Sequence, residues 1–182
     1  MNDQLKTTLK AWPAVTAATI GISLVTQWAA KLAGMELPDQ EQMTLVRNLL
    51  LKSFESWRNA IASALVVLQV LLQAPLLEEP LFRWLGWAVP TGRGRRGGSA
   101  AHWTFAAISS VAFSAAHYVD YTALATGGGF RWLPPSSAML ALVFFGLAQC
   151  WLYRKTQRLW CPMLNHFLFN LANLVLMFAV PD

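Results

Sequence analysis

Long uncharged runs separated by short polar segments make up most of the chain. A bilayer's hydrocarbon core takes about 20 apolar residues of helix. Five runs meet that length with little or no charge: Ala11–Ala30, a run from Ala60 that is uncharged to Leu77 and continues to Val89, Ala100–Tyr118, Ser137–Tyr153 and Trp160–Val180. They predict an all-α fold, a polytopic transmembrane helical bundle of about five spans. The first run is the richest in Thr and Ser, and a cleaved signal sequence is its competing reading. Its length and the tryptophan near its end favour a span. Between the first two runs, Met43, Val46, Leu50, Phe54 and Trp57 recur at helical intervals with Arg47, Lys52, Glu55 and Arg58 interleaved. This predicts either an amphipathic helix lying along the interface or the first turns of a long second helix.

Composition agrees with a membrane protein. The 182 residues are 55% hydrophobic and 13% charged, against roughly 25% charged in a soluble domain. Mean hydropathy is +0.40. So much apolar surface excludes disorder. Nine tryptophans suit a membrane interface. The length fits a single integral membrane domain over residues 1–182, without internal repeats. Cys150 and Cys161 are too few for a disulfide framework and have no zinc-finger spacing.

The net charge of +5 is unevenly placed. Gly92–Gly98 and Arg154–Arg158 are the densest basic loops, and with single crossings they fall on one side together with Lys6 and Lys10. Glu36, Asp39, Glu41, Glu55, Asp120 and Asp182 collect opposite, among Lys31, Arg47, Lys52, Arg58 and Arg131. The positive-inside rule then puts the N-terminus in the cytoplasm and the C-terminus outside. Basic residues in such loops encode orientation, so no nucleic-acid partner is expected.

Ionisable groups inside spans are costly and by default functional. Here they are Glu78, Glu79, Arg83, His102, His117 and His166. His102, beside Trp103 at the start of a span, reads as an interface residue. Glu79 and Arg83 are four apart and share a helix face, as do Phe113 with His117 and His166 with Asn170. Adjacent helical residues diverge by about 100°, so Glu79 is placed to pair with Arg83, leaving Glu78 free as a base. A histidine near such a carboxylate can orient or activate water, and a second histidine with an asparagine can donate to an oxyanion. That set suits peptide-bond hydrolysis with water as nucleophile. Taken alone, the Glu/Arg cluster has a structural ion pair as its lesser alternative, whereas His117 alone reads better as a satisfied core histidine. Ser109, Ser110 and Ser114 lack a nucleophile elbow and more simply let helices approach. Asn165 and Asn173 read as helix-packing residues.

Glu78-Glu79-Pro80-Leu81-Phe82-Arg83 resembles the EExxxR motif of the CPBP intramembrane proteases, the family that includes CAAX prenyl endopeptidases and bacteriocin-processing proteins. Phe113–His117 resembles its FxxxH motif and His166–Asn170 its HxxxN motif, in order, within residues 78–170. The resemblance implies a glutamate-type intramembrane endopeptidase. In it, Glu78 and His117 would activate water, His166 and Asn170 would stabilise the oxyanion, and Glu79, Arg83 and Phe113 would support them. Two histidines and a glutamate could in principle hold zinc, but HExxH is absent and the oxyanion role accounts for Asn170, so no metal or other cofactor is expected. Two departures bear on specificity: the region before the motifs is short, and Trp84 stands where glycine often follows the motif arginine.

The expected partner is a membrane-anchored peptide or protein substrate in the lipid bilayer. Candidates are a C-terminal sorting signal of the myxosortase type, a leader peptide or a CAAX-type tail. The compact chain favours a bacterial inner (plasma) membrane and a non-prenylated substrate. The rival is a non-catalytic membrane protein such as a bacteriocin-immunity factor, which would gain little from burying so many polar groups. Transport is disfavoured by the lack of paired interrupted half-helices. Straight spans leave one conflict. They put His117 near the outer side and His166 near the inner side, so a tilt, a re-entrant helix start or a kink at Pro75, Pro80 or Pro162 must bring them together.

Overall fold

The computed structural model describes residues 2–38, 40–92, 99–121, 123 and 126–179. Most of the basic loop that weighs in the orientation, residues 93–98, lies outside them, as do Asp39, Val180 and Asp182.

The described residues form a helical bundle. Helix α1 (Asp3–Leu32) starts where the Asn2 side chain accepts the Gln4 N–H, 3.0 Å away, and ends before Gly34, whose φ of +71° suits a residue without Cβ. A short α2 (Glu41–Leu51) follows and passes into a 3₁₀ turn, Lys52–Phe54. The chain then breaks. Ser56 is extended, and its hydroxyl caps Asn59 N–H at 3.2 Å to begin α3 (Trp57–Thr91). The amphipathic segment is therefore a separate element, because the Ser56 cap starts the second span afresh.

Helix α3 is continuous but widens twice, into π segments at Gln69–Gln73 and Glu79–Ala88. It ends at Gly92, with φ of +58°. Helices α4 (Ser99–Ala116), α5 (Ala138–Thr156) and α6 (Trp160–Ala179) complete the bundle. Helices α4 and α5 make the most extensive pairing, and α1 lies against α5 and α6.

Three of these helices, α1, α3 and α6, are long and apolar enough to cross a membrane. The third and fourth expected spans form as helices, but α4 and α5 do not reach that apolarity. Arg154 and Lys155 in its last turn lower α5, and serines with His102 lower α4. Ser109, Ser110, Ser114, His102 and Gln149 face the bundle and are all buried. The lipid-type surface is instead supplied by residues such as Leu68, Leu72, Leu76, Leu81 and Leu85 of α3, all about half exposed.

Small residues set the α4–α5 distance. A Cβ at Gly146 would lie 2.8 Å from Ser110 Cβ and 2.9 Å from Ser110 Cα. Ser114 donates its hydroxyl to the Met139 carbonyl at 2.8 Å, and Ser109 donates to the Phe82 carbonyl of α3. These serines act as interhelical spacers and hydrogen-bond donors.

His102, in the first turn of α4, is almost fully buried, edge-on to Trp87 at 4.9 Å and to Trp103 at 5.0 Å, so its ring packs within the bundle at that end of the span.

Candidate active site

The motif residues of α3, α4 and α6 gather around one buried carboxylate. Glu79 is 0% exposed. Its Oε2 lies 3.1 Å from Arg83 Nε, and its Oε1 accepts from His166 Nδ1 at 2.9 Å. A carboxylate facing a buried guanidinium stays ionised and can only accept, so the His166 Nδ1 carries hydrogen and its Nε2 faces the other way. Arg83 is also 0% exposed. Its Nη1 and Nη2 meet no hydrogen-bond partner among the described residues. Its guanidinium instead lies over Phe113, 4.6 Å from the ring centroid, where the π face partly compensates a buried cation.

Glu78 is held differently. About a quarter of its side chain is exposed (27%), and its Oε2 stands 3.9 Å from His166 Nε2. That is too long for a direct hydrogen bond, and Glu78 Oε2 is itself buried without a hydrogen-bond partner among the described residues. The four-residue spacing pairs Glu79 with Arg83, while Glu78 turns toward His166 instead.

His117 follows the last turn of α4. Its Nδ1 donates back to the Phe113 carbonyl at 2.9 Å, and its ring lies 4.8 Å from the Phe113 ring. The fold-back turns the ring toward the bundle and leaves Nε2 free of hydrogen in the neutral form. Phe113 also meets His166 at 5.9 Å, so one aromatic ring stands between the two histidines.

Their axial conflict is resolved by a deeper start to α6. Glu79 stands twelve residues before Thr91, the last residue of α3, ten of the intervening positions being π-helical or adjoining that segment, whereas His166 is only six residues, about 9 Å, from the start of α6. The 2.9 Å contact between them therefore means that α6 begins deeper in the bundle than α3 ends. The second π segment begins at Glu79 and contains Pro80; π-bulges are common where a helix carries function.

Asn170 donates one amide N–H to the Val70 carbonyl in the first π segment, at 2.8 Å. That bond ties α6 to α3 and uses half of the donor capacity assigned to the oxyanion. Two neighbours were not singled out from sequence. The Phe145 ring packs on His166 at 5.1 Å, and Gln149 donates to Asn165 Oδ1 at 2.9 Å, both residues being fully buried. Gln149 carried a signal, being an uncharged polar residue within an apolar run; Phe145 carried none.

Two openings adjoin the site. A cleft of about 260 Å³ is lined by Pro38, Gln40 and Thr44 with His117, Leu133 and Pro134. An apolar groove of about 470 Å³ runs between Val67 and Leu71 of α3 and Leu171, Val175 and Phe178 of α6. It lies alongside the Val70–Asn170 bond. Among the described residues no three His, Cys, Asp or Glu side chains converge to hold a metal ion.

The sequence matches the family model described as type II CAAX prenyl endopeptidase Rce1-like over residues 60–172, which takes in all three motifs. No curated protein and no solved structure matches the chain.

Proposed function

The chain belongs to the Rce1-like family of type II CAAX prenyl endopeptidases, and we propose that it is a glutamate-type intramembrane endopeptidase acting through Glu78. Membership makes it an integral membrane protease of the CAAX type; the mechanism, substrate and membrane are our reading. The observation that carries it is the division of labour between adjacent carboxylates. Glu79 is consumed by Arg83 and His166, whereas Glu78 is partly exposed and 3.9 Å from His166 Nε2.

In the proposed reaction, Glu78 takes a proton from water, with His117 Nε2 orienting that water as an acceptor. The hydroxide attacks the scissile carbonyl, and the negative charge moves to its oxygen. His166 and Asn170 donate to that oxyanion. Because His166 already donates Nδ1–H to Glu79, it donates from Nε2 only if it enters the cycle with a second hydrogen there, which it keeps throughout. Asn170 offers the N–H that Val70 does not use. Collapse of the intermediate breaks the C–N bond, and Glu78 returns its proton to the leaving amine. The water's oxygen and one of its hydrogens end on the new carboxyl group, its other hydrogen goes through Glu78 to the leaving amine, and no cofactor enters.

The apolar groove beside Asn170 suits the membrane segment of an anchored substrate, and nothing in its lining favours a polar ligand. We place the protein in a bacterial inner membrane with the N-terminus in the cytoplasm, and a non-prenylated anchored protein as substrate.

The test compares protein termini in membranes of cells expressing wild type or Glu78→Gln at equal levels. New termini at or near apolar segments, present with wild type and absent with Glu78→Gln, support the reading. Full biological function in Glu78→Gln, without such termini, replaces it with a non-catalytic role such as immunity.

A further inference from the structure

Two buried stripes run side by side beneath the site. On α3 the stripe is Glu79, Arg83 and Trp87, and on α5 it is Phe145, Gln149 and Tyr153, each stepping by four residues. None of the six is more than 3% exposed. Contacts fix their register at both ends. His166 meets Glu79 at 2.9 Å and the Phe145 ring at 5.1 Å, so those two residues stand at one level. Trp87 meets Tyr153 at 5.6 Å, and Cys150, next to Gln149, packs in the same cluster as Trp87. With the ends matched, the middle members of the stripes, Arg83 and Gln149, are level as well.

Each of these two lacks what the other offers. Arg83 Nη1 and Nη2 are donors without a hydrogen-bond partner among the described residues, and Gln149 Oε1 is an acceptor without one. Buried polar atoms are rarely left in that condition, because an unpaired one loses its hydration for nothing in return. The Gln149 amide is oriented by Asn165, whose Oδ1 accepts from Gln149 Nε2 at 2.9 Å. That bond keeps the carbonyl end available to a cation. Turned the other way, the amide would present N–H groups to a guanidinium that can only donate. A polar staple between α5 and α6 accounts for Nε2, but it leaves Oε1 without a partner.

We infer that Gln149 is a positioning residue for the Glu79–His166 pair: its Oε1 accepts from the Nη side of Arg83, directly or through one water, and its Nε2 fixes Asn165, the residue before His166. This rests on the protease reading above. Arg83 is then held from two sides, by Glu79 Oε2 at Nε and by Gln149 at the terminal nitrogens. A guanidinium held in this way is kept from swinging toward Glu79 Oε1, which stays with His166 Nδ1. Gln149 touches no reacting atom and acts through Arg83 and Asn165.

The test relocates the negative charge. Glu79→Gln deprives Arg83 of its carboxylate, and Gln149→Glu in that background supplies one from α5. The expected result is a reversal of sign. Gln149→Glu lowers the melting temperature of wild type, where two carboxylates then share one cation, and raises that of Glu79→Gln, recovering much of its loss. A Glu79→Gln/Gln149→Glu protein no more stable than Glu79→Gln overturns the inference and leaves Gln149 as a staple between α5 and α6.

Kinetics supply the second readout, with a membrane-anchored peptide that spans a terminus identified in cells. Gln149→Leu, at equal folded protein, loses about 10–100-fold in kcat. KM is unchanged, because Gln149 lines neither the His117 cleft nor the α3–α6 groove. An unchanged kcat, or a rise in KM alone, overturns the positioning role. Failure of the protease reading shows separately, as full biological function in Glu78→Gln with the melting-temperature reversal intact.

Discussion

Replacing Glu79 by Gln separates the structural from the chemical work of the two adjacent carboxylates. Glu79 and Arg83 are both 0% exposed, with 3.1 Å between Oε2 and Nε, and the terminal guanidinium nitrogens have no other hydrogen-bond partner among the described residues. Glu79→Gln leaves that cation buried and uncompensated, which costs about 3–5 kcal/mol. At about 2–4 °C per kcal/mol for a chain of this size, the melting temperature falls by about 6–20 °C. The double variant Glu79→Leu/Arg83→Met removes both charges and keeps the volume, so it recovers most of the loss. It does not recover activity, because His166 Nδ1 has lost its carboxylate. The assay is thermal unfolding of detergent-solubilised protein by size-exclusion recovery, with cleavage measured in parallel. A loss below about 1 kcal/mol in Glu79→Gln, or a double variant less stable than the single one, would falsify the claim that this pair is a buried, mutually dependent unit.

Glu78→Gln keeps the shape of a side chain already partly exposed, and its melting temperature stays within a degree or two of wild type, about 0.5 kcal/mol. His117→Ala removes the water-orienting nitrogen and lowers kcat by about 10²–10⁴ while the fold is retained, since only one hydrogen bond to the Phe113 carbonyl is lost. Gly146→Ala forces α4 and α5 apart at Ser110 and destabilises by about 1–3 kcal/mol, and adding Ser110→Gly, which deletes the clashing Cβ, recovers part of it; thermal unfolding reads both. Asn170→Ala loses the bond to the Val70 carbonyl and costs about 0.5–1.5 kcal/mol. Its cleavage loss exceeds that of the Val70 contact alone, which kinetics of matched, folded samples will show.

The helices and the motif faces were legible in the sequence, for a plain reason. Length and lack of charge identify spans, and a four-residue spacing places Glu79 with Arg83, and Phe113 with His117, whatever surrounds them. Depth and partner are not encoded that way. Nothing in the periodicity of α6 shows that it begins deep enough for His166 to meet Glu79. The π segment at Gln69–Gln73 contains no proline, and its Val70 carbonyl meets Asn170 from another helix. Trp103 is the neighbour of His102 in sequence, whereas its contact with Trp87, fifteen positions away, comes only with the fold. The break before α3 was half legible: the amphipathic repeat was visible, but Ser56 had to be recognised as a cap. Gln149 was overlooked because an uncharged amide stands out less than a histidine, although its buried bond to Asn165 binds α5 to α6 beside the site.

Hydrolysis by Glu78 is tested most directly with purified protein in proteoliposomes, using a membrane-anchored peptide that spans a terminus identified in cells. Wild type and Glu78→Gln are compared at equal amounts of folded protein, with and without a metal chelator. Cleavage by wild type that is unaffected by the chelator and lost in Glu78→Gln is the predicted result. Undiminished cleavage by Glu78→Gln, or cleavage abolished by the chelator, would contradict it.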